Sequence, residues 1–127
     1  MADFSYSVDK RLIIVPVKIY SATHFIDAKF VLDTGASYTI VDHRLAISLG
    51  YSKDTSISKS TVSSAAGREE GYRTKIASIE ALGKKLSPFE IACHPLFEQG
   101  VEGLLGMTFL EQFEFCIFPS KQVIRIG

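Results

Sequence analysis

The chain has 127 residues, 14 Lys plus Arg against 14 Asp plus Glu, and a formal net charge of zero. That length fits one domain spanning 1–127, able to bury roughly two-thirds of its unfolded surface, with a core over about 11–126. Balanced charge without a basic stripe argues against nucleic acid, and two cysteines, Cys93 and Cys116, are too few for a disulfide framework or a four-ligand zinc site.

Residues 1–10 are polar and acidic and lack the basic start and apolar middle of a signal peptide. The longest apolar run, 12–17, contains Pro16 and is too short to span a membrane. The expectation is a soluble, cytoplasmic chain, or a domain of a longer protein. Residues 12–20 read as a strand, with Pro16 at an edge or bulge because it lacks a backbone donor. Ser21-Ala22-Thr23 is the expected turn, and 24–32 returns as the second arm of a hairpin that delivers Asp33 at its end.

Asp42 is a candidate N-cap for a short helix over 43–49, with Gly50 as the stop. Residues 52–66 are rich in Ser and Thr, a composition open to a linker reading. A mobile β-hairpin fits better, with its tip near 65–68 and its returning arm over 71–76. Residues 76–82 and 84–92 read as two strands turning at Gly83, with Pro88 at an edge. Residues 94–100 read as a surface loop, 103–106 as a short buried strand and 107–112 as a short helix. Strands over 113–118 and 122–126 close the chain. The sum is an all-β domain with one or two small helices.

The chemistry concentrates at Asp33. Phe30-Val31-Leu32 suits a strand buried on both faces, and Gly35 permits a sharp turn beside the acid. A carboxylate there loses water and needs hydrogen bonds or a chemical task. Asp33-Thr34-Gly35-Ala36-Ser37 in this setting, with Gly103-Leu104-Leu105-Gly106 downstream and a closing Phe-Glu-Phe-Cys-Ile-Phe strand, resembles the retropepsin-like aspartic proteases. Within that group the chain looks like a cellular, bacterial-type relative.

The resemblance implies a retropepsin-like closed β-barrel of a single lobe, paired about a two-fold axis, and no cofactor. Aspartic proteolysis uses two carboxylates about 3 Å apart that share one proton across a water. This chain holds one Asp-Thr-Gly. The resemblance therefore implies an obligate homodimer in which Asp33 of each copy forms the dyad.

It further implies that Thr34 hydrogen-bonds across the dimer, that the Gly35 N–H donates to Asp33, and that Ala36 belongs to the same supporting loop. Gly106 leaves room for that loop, with Leu104 and Leu105 as its floor. Ala65, Ala66, Gly67 and Arg68 are implied as a flap over an extended polypeptide substrate bound by strand addition.

Three departures stand out. Ala36 replaces a serine of pepsin-like enzymes, which predicts a less acidic optimum than pepsin's. Met107-Thr108 follows Gly106 where retroviral enzymes carry Arg-Asn, and Tyr38 replaces an acid found there, so the intersubunit ion pairs of viral dimers are in doubt. The strand over 122–126 is open to two readings, a dimer interface or a solvated edge capped by Arg125.

Other candidates carry less. His24, His43 and His94 share no ligand spacing and read as surface or cap histidines. Cys93 and His94 are neighbours on a strand and point to opposite faces, which argues against a nucleophile-and-base pair. Phe109, Phe113, Phe115 and Phe118 read as core. The leading reading is a homodimeric aspartic endopeptidase. The alternative is a catalytically silent peptide-binding or dimerisation module of the same fold.

Overall fold

The first long hairpin shows how the pattern of residues becomes a sheet. In the computed structural model, which describes residues 1–64, 67–96 and 100–127, β3 (Leu12–Tyr20) and β4 (Phe25–Leu32) pair antiparallel along their length. Val15, Val17 and Ile19 alternate into the core. The turn is closed by the Ser21 N–H on the His24 carbonyl at 2.8 Å, and the Ser21 hydroxyl accepts from the His24 N–H at 3.1 Å. Pro16 is exposed in the gap between two shorter partners of β3, β2 (Ser7–Asp9) and β8 (Ser78–Ala81). Its missing donor therefore costs no ladder bond on that side.

From this hairpin the chain runs through β5 (Ile40–Asp42) and α1 (His43–Ser48), whose first turn is capped by Asp42. A 3-10 turn at Lys53–Thr55 leads into the hairpin of β6 (Ser58–Ser64) and β7 (Gly67–Ile76). After β8 come β9 (Lys84–Leu86), β10 (Phe89–His94), β11 (Gly103–Leu105), α2 (Met107–Leu110), β12 (Phe115–Phe118) and β13 (Val123–Ile126). The main, ten-stranded sheet has the order β6-β7-β10-β5-β11-β4-β3-β8-β9, with β2 also on β3. Two parallel pairings, β10 with β5 and β11 with β4, bring the strand ends near Asp33 together. No helix among the described residues is long and apolar enough to cross a membrane.

Several expectations are corrected. The strand path runs from β6 to β9, and no pairing among the described residues closes it into a barrel. The single strand expected over 84–92 is two, β9 and β10, because Pro88 interrupts the ladder at a bend. The core begins before residue 11: β1 (Ala2–Ser5) pairs with β13 in a three-stranded sheet of order β1-β13-β12. Its β13 is the central strand and not a solvated edge, and Arg125 reaches across to its register partner Asp3, Nε to Oδ1 at 2.7 Å and Nη2 to Oδ2 at 3.1 Å. His94 ends β10 with 1% of its surface exposed, and so is neither a loop nor a surface residue.

Candidate active site

Asp33 leaves the end of β4, where its backbone N–H donates to the Leu105 carbonyl at 3.0 Å and extends the parallel pairing with β11. The chain then reverses. The Ala36 N–H donates to the Asp33 carbonyl at 3.2 Å, and the Gly35 N–H donates to the carboxylate Oδ1 at 2.9 Å. The carboxylate is half-buried, while Thr34 and Gly35 are exposed.

A layer beneath the loop holds its shape. The Met107 N–H donates to the Ala36 carbonyl at 2.8 Å and the Thr108 N–H to the Ser37 carbonyl at 3.1 Å. The fully buried Thr39 hydroxyl oxygen accepts from the Gly106 N–H at 3.2 Å and from the Thr108 hydroxyl at 3.1 Å. Thr108 in turn accepts from the Thr39 N–H at 2.9 Å. Gly106 has no alternative here, since a Cβ would lie 2.3 Å from the Tyr38 carbonyl oxygen and 2.7 Å from that of Ala36. Leu105 is fully buried in the main core, and half-buried Leu104 packs with Ile40, Ala92 and Leu96.

Above the carboxylate opens a cavity of about 600 Å³. Asp33, Tyr38, Ile40 and Leu104 line one side, and β6 residues from Lys59 to Val62 with Arg73 of β7 line the other. The Arg73 guanidinium is held in place: Nε donates to Ser58 Oγ at 2.7 Å and Nη1 to the Tyr38 hydroxyl at 2.9 Å. Its carbon sits 5.3 Å from the centre of the Tyr38 ring, and Glu90 Oε1 lies 3.5 Å from Nε. Of the expected flap residues, exposed Gly67 and Arg68 begin β7 and do not line the cavity, while Ala65 and Ala66 lie outside the described residues.

His94 braces this wall from behind. Its Nε2 lies 2.9 Å from Ser60 Oγ, and its Nδ1 lies 3.5 Å from Glu69 Oε1. Burial pushes the imidazole below its ordinary pKa, and Glu69 partly opposes that shift. Gly71 makes the packing possible, because a Cβ there would meet the Cys93 carbonyl oxygen at 2.1 Å and His94 Nδ1 at 2.7 Å. Next to His94 the Cys93 thiol is pushed up to about 12, chiefly by burial, and is directed to Tyr72. The two side chains serve opposite faces and do not meet as nucleophile and base.

The other histidines stay apart. His24 bonds within the β3–β4 turn, and His43 lies 3.9 Å from the capping Asp42. No group of three or more His, Cys, Asp or Glu side chains among the described residues is arranged to hold a metal. Sequence reasoning missed Arg73, Thr39 and His94, each of which acts through a partner far away in the chain.

Comparison with known proteins adds three findings. Residues 24–112 match the family model described as "gag-polyprotein putative aspartyl protease". No curated protein matches the sequence. The crystal structure of a retropepsin-like aspartic protease from Rickettsia conorii superposes with a TM-score of 0.74 at 21% identity, covering 100% of this chain and 99% of that one.

Proposed function

Since the chain belongs to the gag-polyprotein aspartyl protease family, which is retropepsin-like, we propose that it is an aspartic endopeptidase that works as a homodimer. One observation carries the reading. A half-buried carboxylate stands at a strand end, accepts the Gly35 N–H at 2.9 Å, and faces a cavity of about 600 Å³ that is open to a chain.

Asp33 alone supplies one carboxyl group, whereas the reaction needs an acid and a base at once. A two-fold axis beside the exposed Thr34-Gly35 edge supplies the second from an identical chain. Like charges about 3 Å apart share one proton. The ionised partner takes a proton from water as the oxygen attacks the peptide carbonyl. The protonated partner donates to the carbonyl oxygen, and the pair then returns a proton to the leaving amine. The Gly35 N–H orients one carboxylate oxygen and leaves the other for water. In this reading Thr34 links the two loops beneath the dyad, the Thr39–Thr108–Gly106 layer keeps them rigid, and the β6–β7 hairpin is the flap. An extended polypeptide lies between hairpin and dyad by adding a strand.

The test is cleavage of a denatured protein mixture by the wild type and by Asp33→Asn, with sedimentation of both. Cleavage by a dimer and a loss of at least about a hundredfold in the variant supports the proposal. Binding of extended peptides without any cleavage turns the assignment to a silent peptide-binding module. A protein that stays monomeric and inactive at high concentration removes the homodimer.

A further inference from the structure

We propose that the cavity selects peptides carrying a carboxylate side chain, which Arg73 binds in a subsite walled by Tyr38; the proposal rests on the protease reading and names its substrate class. The fixed position of Arg73 in the cavity wall points this way. Among its described lining residues Asp33 is the only acid, while Lys59 and Arg73 are basic. Lys59 pairs across the hairpin with Tyr72, and so belongs to the face opposite Ser58 and Arg73. Its charge acts at longer range, and Arg73 is the direct contact.

Arg73 is built for recognition by its fixed position. A free arginine loses side-chain entropy on binding, but this one has already been immobilised by three neighbours. Ser58 takes Nε, Tyr38 takes one proton of Nη1, and the centre of the Tyr38 ring lies 5.3 Å from the guanidinium carbon. Glu90 sits on the Nε side at 3.5 Å, with the two side chains 30% and 38% exposed. Nη2 has no partner among the described residues. Nη2 is therefore left to donate to a carboxylate, a charge-assisted hydrogen bond to a guanidinium already held in place. In a two-fold dimer each protomer supplies one such subsite, one on either side of the cleaved bond.

The experiment uses peptides derived from a cleaved site, identical except for Glu, Gln or Lys at one position, scanned along both sides of the bond. At the Arg73 subsite the wild type is expected to show kcat/KM about ten-fold higher for Glu than for Gln, with Lys below Gln. Arg73→Gln should bring the Glu-to-Gln ratio within about two-fold, whereas Glu90→Gln, by removing the competing anion, should enlarge it. The enlargement guards against a variant that merely loosens the hairpin. Equal rates for Glu and Gln at every position, or a ratio that survives Arg73→Gln, overturns the subsite and leaves the protease reading standing. If nothing in the protein mixture is cut, the protease reading falls by itself, and calorimetric binding of extended peptides that differ only in Glu, Gln or Lys at one position to the Asp33→Asn protein decides the subsite. Tighter binding of the Glu peptide supports it, and equal binding overturns it.

Discussion

His94 Nε2 and Ser60 Oγ meet at 2.9 Å across 34 positions of chain, fastening the end of β10 to the strand that walls the Asp33 cavity. The bond makes the hairpin part of the core at its base, while residues 61, 62 and 67–70 farther out are exposed. A buried imidazole in that place also ties stability to pH. Burial holds the folded His94 below its ordinary value of 6.5, so the unfolded chain protonates first as pH falls. Between 6.5 and the lower folded value the unfolded state binds more protons, and stability decreases with falling pH. Urea midpoints should therefore drop from about pH 7 to about pH 5, and drop less in His94→Gln. An equal slope in the two proteins counts against His94 as the source.

Gly71 is the steric counterpart of that contact. Gly71→Ala places a methyl 2.1 Å from the Cys93 carbonyl oxygen, and backbone cannot yield as a side chain can. The expected cost is about 1–3 kcal/mol, with a fall in Tm of about 3–5 °C for each kcal/mol in a domain of this size. Thermal unfolding followed by circular dichroism measures it, and an unchanged Tm shows that the hairpin base shifts freely.

Thr39 should matter through its hydroxyl. Thr39→Val keeps the shape but leaves the Gly106 N–H and the Thr108 hydroxyl without their acceptor in a buried place. The loss should be about 1–3 kcal/mol, whereas Thr39→Ser, which keeps the oxygen, should cost only about one methyl group, near 1 kcal/mol. Denaturant titration of the two variants separates the roles. Equal costs would assign the position to packing.

The two thiols should differ in reactivity. Cys93 is buried with its thiol pushed up to about 12, while Cys116 is exposed on β12. The thiolate is the reactive form. Iodoacetamide at neutral pH should modify Cys116 alone in the native protein and both in denaturant, as read by peptide mass. Native modification of Cys93 would mean that β10 opens readily.

Much of this architecture was legible in short stretches. The β3–β4 hairpin, the capped helix after Asp42 and the Gly103–Leu105 strand follow from alternation, a capping side chain and small residues. Each signal lies within the element it describes. The turn before Lys84 was legible too, because Gly83 marks it. The turn between β2 and β3 was not. Lys10 and Arg11 take positive φ values of 51° and 67° without a glycine or asparagine, so nothing in the composition announces a hairpin there. With that turn hidden, the expected core began only at about residue 11.

What the sequence by itself determined is an acid at the end of an apolar strand, followed by a glycine that lets the backbone donate to it. Both are set by neighbours in the chain, through strand propensity and a permitted turn. Only the tertiary structure decided that His94 is buried, that Arg73 lies on Tyr38, and that the sheet ends at β6 and β9. The Arg73–Tyr38 and His94–Ser60 bonds join residues 35 and 34 positions apart. Contacts at that range depend on which strands pair and in what register, and no local period of hydrophobicity records it.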